Sequence, residues 1–134
     1  MQHSPVRSTI VSRMEPGSPC PCGTGLSYAD CCGRLHVGLA EAATAEQLMR
    51  SRYSAFAVGD TDYLLHTWHP RTRPATVEAG DGLEWLSLQV LQSDDDKVEF
   101  VARFRGPAGR GFVRERSQFV QLDGRWLYLS AVED

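Results

Sequence analysis

The sequence predicts an α+β domain with helices packed on one side of an antiparallel sheet, and three observations carry that expectation. Residues 44–68 repeat apolar side chains every three or four positions, the period of an amphipathic helix. After Gly82 the period falls to two, and turn residues cut the stretch into four strand-length runs. Helices come first and strands afterwards, without alternation, so neighbouring strands pair directly instead of through helical crossovers.

Thr44-Ala45-Glu46-Gln47 reads as a helix start, with Thr44 as the cap and Gln47 at the reciprocal position. The helix that follows aligns Leu48, Met49, Arg52, Tyr53 and Phe56, and Gly59 ends it. Asp60-Thr61-Asp62 offers a second acidic start for a short helix through Leu64, Leu65 and Trp68, closed by His69-Pro70. Residues 70–82 are expected to form a loop, with room for a short strand near Thr76–Glu78. Strands are expected near Glu84–Gln92, Val98–Arg105, Gly111–Leu122 and Trp126–Val132. Asp123-Gly124 between the last two is a strong hairpin signal.

The 134 residues carry 42% hydrophobic and 23% charged side chains, ordinary globular values that argue against wholesale disorder. A net charge of -3 removes the global electrostatic case for nucleic acid. No apolar run approaches the ~20 residues that span a bilayer, and the first thirteen residues lack the apolar centre of a secretory signal. A cytoplasmic protein is the expectation.

All four cysteines fall between positions 20 and 32, as Cys20-Pro21-Cys22 and the adjacent pair Cys31-Cys32. Clustered cysteines in a cytosolic chain more often bind metal than form disulfides. Residues 16–36 are dense in Gly and Pro and too short for a core of their own, so they need a staple. Gly23 and Gly25 can supply the positive φ angles that return the chain. Four thiolates at ~2.3 Å from one ion fit a closed, structural zinc site, which contributes directly to folding. Two other chemistries stay open: a redox disulfide, although neither spacing is the usual dithiol motif, and an iron–sulfur cluster, whose familiar spacings differ. His36 reads as a surface or interface histidine, or as a nitrogen ligand in place of Cys32.

Residues 20–33, Cys-Pro-Cys-Gly-Thr-Gly-Leu-Ser-Tyr-Ala-Asp-Cys-Cys-Gly, resemble the SEC-C zinc motif at the carboxyl end of the preprotein translocase ATPase. The match includes the four ligands, Gly23, Gly25, Tyr28 and Gly33. Downstream, Leu48-Met49-Arg50-Ser51-Arg52-Tyr53-Ser54-Ala55-Phe56, Tyr63-Leu64, Thr67-Trp68-His69-Pro70, Arg114-Glu115-Arg116-Ser117 and Gly124-Arg125-Trp126 are similar to the bacterial YchJ family. The resemblance spans residues 18–132. It implies a tail (1–15), an SEC-C knuckle (16–36) and a nuclear-transport-factor-two-like (NTF2-like, cystatin-like) α+β domain (37–134), with Cys20, Cys22, Cys31 and Cys32 as ligands of a structural zinc. The translocase motif is lysine-rich around its tyrosine, whereas this chain has Leu26, Ser27, Ala29 and Asp30, so an acidic export chaperone is not expected as a partner.

Folds of this type leave a conical pocket that serves enzymes, binders and dimerisation modules alike, so function must be argued from residues. Arg52 on the apolar helix face and Glu115 on the core side of its strand are candidates to satisfy each other's buried charge. With Tyr53, His66, Trp68 and His69 they form the candidate pocket. Arg103, Arg105, Arg110, Arg114 and Arg116 suggest a basic stripe on the strands, diluted by Glu99 and Glu115. Asp94-Asp95-Asp96 reads as a solvated turn rather than a calcium site.

No nucleophile–base–orienter constellation or phosphate loop is legible. The expectation is therefore a binding or interaction module, with a structural four-cysteine zinc site beside a domain that binds a small ligand or a protein partner, in a possible homodimer. The rival is a small-molecule enzyme using acid–base chemistry at His69 or Glu115. A nucleic-acid-associated protein is the weaker third reading.

Overall fold

The computed structural model describes residues 15–79 and 82–132, which leaves the expected tail, Glu15 apart, outside the described residues. Helices α1 (Cys32–His36), α2 (Ala45–Val58) and α3 (Thr61–His66) precede strands β1 (Glu84–Ser93), β2 (Lys97–Gly106), β3 (Gly109–Leu122) and β4 (Arg125–Ala131). The strands form one antiparallel meander in the order β1-β2-β3-β4. Among the described residues no helix is long and apolar enough to cross a membrane.

Local chemistry sets each boundary. Thr44 Oγ1 accepts from the Gln47 amide at 3.0 Å, while Gln47 Oε1 reaches one residue further back than expected, to the Ala43 amide at 2.6 Å. One orphan donor at the start of α2 is thereby satisfied, and the amide of the residue before the cap is held as well. Gly59, at φ 82°, closes the helix by donating to the Ala55 carbonyl at 2.8 Å. Asp60 caps α3 through the Tyr63 amide.

The second helix is shorter than its apolar pattern suggests. It stops at His66 because the next residues pair with β4: the Thr67 carbonyl accepts from the Tyr128 amide, and the Tyr128 carbonyl from the His69 amide, both at 2.8 Å. Trp68 consequently sits in a parallel bridge with Tyr128. No strand forms at Thr76–Glu78; Val77 instead packs against the Leu35, Ala55, Tyr63 and Leu64 cluster.

Asp123 and Gly124 take φ 53° and 80°, the left-handed pair that a tight hairpin demands. Register shifts between Trp85 and Ser87, Val90 and Gln92, and Gln118 and Phe119 bend the strands over the helices. One face of the sheet presents Phe100, Ala102, Val113, Glu115 and Ser117 toward α2. The other presents Arg103, Arg105, Arg110, Phe112 and Arg114. Val101 belongs to that outer face yet is also buried, an exception to the expected alternation.

Candidate functional site

The cysteine knuckle begins with a short antiparallel turn. Pro19 bridges Ser27, and the Cys20 amide donates to the Leu26 carbonyl at 2.9 Å. Gly23 and Gly25 take φ 87° and 90°, the left-handed backbone that brings Cys22 back toward Cys31. At the entry to α1 the Gly33 amide donates to the Tyr28 carbonyl, and a Cβ at position 33 would lie 2.7 Å from that oxygen.

This folding gathers all four sulfurs to within 4.8 Å of one another, the one such metal-ligating cluster among the described residues. None is paired in a disulfide. Cys22 Sγ and Cys31 Sγ are 3.6 Å apart. Two sulfurs bound at ~2.3 Å to a common tetrahedral ion would be separated by about 3.8 Å, so the geometry fits a four-sulfur metal centre. Hydroxyls stand around it: Thr24 Oγ1 lies 3.2 Å from Cys31 Sγ, and Ser54 Oγ lies 3.5 Å from Cys20 Sγ. Neither hydroxyl was singled out in the sequence, although Thr24 follows Cys22 by two residues.

The thiols perturb each other. Hydrogen bonding from Cys22 and then Cys32 holds Cys20 as thiolate well below the ordinary thiol range. The same bond seen from the other side pushes Cys22 up to about 11, and the bond to Cys20 raises Cys32 further. Four adjacent thiols cannot all ionise against one another, so a full set of thiolates requires a cation between them.

His36 is neither on the surface nor in the sulfur cluster. It is buried, with Nδ1 2.6 Å from the Tyr28 hydroxyl and Nε2 2.9 Å from the Ser51 carbonyl. The knuckle is also continuous with the domain. Cys20, Cys22, Tyr28 and Cys32 share a core with Tyr53, Val58 and Ala102, and Arg50 donates to the Cys22 carbonyl at 2.7 Å.

A cavity of about 300 Å³ lies between α2 and the inner face of the sheet. Of the six candidate pocket residues, Arg52, Tyr53, Trp68 and Glu115 line it. His66 does not; it lines a separate hollow against α1 and α3, where its Nε2 accepts from Arg125 at 3.1 Å. His69 lies past the helix end, and its Nδ1 accepts from the Arg71 amide. His66 is the last residue of α3 and His69 follows the segment that pairs with β4, so neither imidazole faces the cavity. Tyr128 and Ser117 join the cavity wall instead. No local signal separates Tyr128 from Leu127, because both faces of β4 carry large apolar side chains.

Arg52 and Glu115 do not pair directly. The guanidinium donates to the Leu64 carbonyl and to Thr67 Oγ1, each at 2.8 Å, and lies 4.9 Å and 4.7 Å from the Trp68 and Tyr128 ring centroids. Burial lowers its pKa to about 10, opposed by the fields of Tyr128, Tyr63 and Glu115, so it stays cationic at neutral pH. Glu115 Oε2 accepts from Ser117 Oγ at 2.7 Å and from the Tyr128 hydroxyl at 3.0 Å. Two hydroxyls therefore fix the carboxylate. The Trp68 indole N–H is buried, with no hydrogen-bond partner among the described residues.

Fold and site together define a class: an NTF2-like α+β domain fused to an SEC-C cysteine knuckle. A family model described as the YchJ middle NTF2-like domain matches residues 44–131, and an SEC-C motif matches residues 18–34. UPF0225 proteins of Deinococcus radiodurans and Streptomyces coelicolor are 52% and 50% identical, covering 88% and 84% of this chain and 92% and 94% of their own. The chain belongs to the YchJ (UPF0225) family. Two solved structures share the fold. An SEC-C motif protein of Rhodopseudomonas palustris matches at TM-score 0.74 and 36% identity, over 86% of this chain and 98% of that one. Another from Psychrobacter arcticus matches at 0.73 and 29%, over 89% and 85%.

Proposed function

We propose that this protein is a binding module in which zinc, held by Cys20, Cys22, Cys31 and Cys32, fixes the knuckle against a domain that takes a small, mostly apolar ligand in the α2–sheet cavity. Thiolate softness and the closed four-sulfur arrangement support zinc over harder cations. Bound zinc would act structurally, by neutralising the thiolates, and leaves no open position for a substrate.

The observation that carries the ligand reading is the buried Trp68 indole N–H, which has no partner while its ring lines the cavity. Buried donors are satisfied in the great majority of proteins, and an acceptor on a ligand would satisfy this one. The rest of the wall is largely apolar, with Arg52 and Glu115 offering opposite charges, so a neutral ligand with one polar end fits best.

Elemental analysis of the purified chain should return one zinc, lost on Cys31→Ser. For the ligand, a fragment screen should be read at the Trp68 indole N–H resonance of the zinc-loaded protein. Val113→Trp, which fills the cavity wall at a partly exposed position, serves as the control. Fragments that shift the resonance in the parent and not in the variant are expected; none doing so would end the ligand reading.

The acid–base reading keeps one supporting observation, the Glu115 carboxylate held by Ser117 and Tyr128 inside the cavity. Glu115→Gln would then abolish turnover of a bound compound while leaving its binding intact.

A further inference from the structure

The outer face of the sheet, opposite the cavity, carries an exposed aromatic ring inside a cationic field. Phe112 is 65% exposed. Arg103 is its direct cross-strand partner, and Arg110 and Arg114 flank it two residues away on the same face of β3. Arg105 pairs with Arg110 across β2 and β3, and Arg116 extends the row. The sequence reading diluted this stripe with Glu99 and Glu115. Glu115 in fact lies on the inner face, so it dilutes nothing.

Two carboxylates do belong to the outer face. Glu84 holds Arg105 at 2.8 Å and Glu99 holds Arg114 at 2.7 Å. Arg103 makes its hydrogen bond to the neutral Gln89, and among the described residues Arg110 makes no ion pair. With Arg116 set aside, four arginines against two glutamates among the described residues leave a cationic surplus on one face of a chain whose net charge is -3. That asymmetry is local, and local surplus governs what docks.

We infer that this face binds single-stranded nucleic acid, with a base stacked on Phe112 and phosphates on the surrounding guanidiniums. The chemistry is complementary on both counts. Phosphates are polyanionic and arginine meets them in bidentate geometry. An exposed ring on an open sheet offers a base its π-face, and adjacent arginines add cation–π contact. A second copy of this chain fits less well, because a two-fold contact through this face would set one arginine cluster against another. An acidic protein segment would satisfy the arginines but would leave the Phe112 ring without a stacking partner.

Fluorescence polarisation with labelled twelve-residue oligouridylate and oligothymidylate, on the full zinc-loaded chain, tests this. An oligoglutamate peptide provides the acidic-protein comparison. Binding should fall about twentyfold between about 50 and 200 mM salt if three phosphates are neutralised. Phe112→Ala should weaken it about tenfold and Phe112→Trp should retain it, while Arg110→Glu should abolish it. Both positions are exposed, so the fold should survive these changes. Absent or salt-insensitive binding overturns the inference, as does binding indifferent to Phe112→Ala. Oligoglutamate binding as tightly as the oligonucleotides would overturn it in favour of an acidic protein.

Discussion

The Tyr28 hydroxyl lies 2.6 Å from His36 Nδ1, and through that ring the cysteine knuckle is tied to helix α2. The opposite nitrogen, Nε2, faces the Ser51 carbonyl at 2.9 Å, which can only accept. The imidazole proton is thereby placed on Nε2, and Nδ1 accepts from Tyr28. Ser51 Oγ in turn meets the Tyr63 hydroxyl at 2.7 Å, so a polar relay runs from the knuckle through α2 to α3.

Tyr28→Phe removes the donor and leaves a buried ring nitrogen unsatisfied. Stability should fall by about 1–3 kcal/mol, read from the urea midpoint. Zinc content should not change, because Tyr28 supplies no ligand. Loss of the metal in this variant would mean that the relay positions the sulfurs themselves.

Gly33→Ala should act on the knuckle by a different route. Its Cβ would sit 2.7 Å from the Tyr28 carbonyl oxygen, a backbone atom that cannot step aside without moving Tyr28 and the start of α1. Cys32 opens that helix, so its sulfur moves too. Metal affinity, measured by competition with a chromophoric chelator, is expected to drop at least tenfold; an unchanged affinity would show that the turn adapts.

Chelation should reach further than the knuckle. A knuckle that shared no core with the domain would loosen alone, within residues 16–36. The cysteines, however, share a core with Tyr53, Val58 and Ala102, and Arg50 is anchored on the Cys22 carbonyl. Hydrogen exchange after zinc removal should therefore accelerate in the middle of α2 and β2 as well as in residues 16–36. Acceleration confined to the knuckle would restore the simpler picture.

The contrast marks what the chain makes legible. Period, caps and turns are local properties, and Thr44, Gly59 and Asp123-Gly124 announced their elements within a residue or two. The sulfur cluster was readable because chelation depends on spacing over thirteen residues. Long-range pairing was not readable. Nothing near Trp68 says that Tyr128, sixty residues later, will pair with the backbone there just past the end of α3 at His66. Nor does any local pattern say that Arg52 will be satisfied by a carbonyl and a threonine instead of by Glu115.

Arg52 tests that last point. It is 6% exposed, and Arg52→Met fills its volume while removing two hydrogen bonds and the contacts with Trp68 and Tyr128. The Leu64 carbonyl and the Thr67 hydroxyl lose their cationic donor together, and the half-buried Glu115 loses a nearby positive charge. A loss of roughly 2–4 kcal/mol is expected from denaturant unfolding. Glu115→Gln should cost less, because its carboxylate is held by Ser117 and Tyr128 rather than by the arginine. Equal losses would indicate that the two charges act as a pair after all.

Alkaline stability carries a sign that follows from burial of the tyrosines. Burial, and then the field of Cys22, push Tyr53 up to about 12; burial pushes Tyr63 up to about 12 against the opposing Ser51 hydrogen bond. An unfolded tyrosine ionises near pH ~10. Between ~10 and 12 the unfolded chain therefore binds fewer protons than the native one, and stability that is fully present below pH ~10 is lost as pH rises toward 12. Arg52, lowered to about 10, works in the opposite direction over the same range. Tyr53→Phe separates the two, because among the described residues Tyr53 makes no side-chain hydrogen bond that the substitution would remove and Arg52 is common to both proteins. The fall in unfolding free energy from about pH 9 to about pH 11 should be smaller in the variant, by on the order of 1 kcal/mol. Equal falls would place the Tyr53 hydroxyl in effective contact with solvent, open through the cavity it lines.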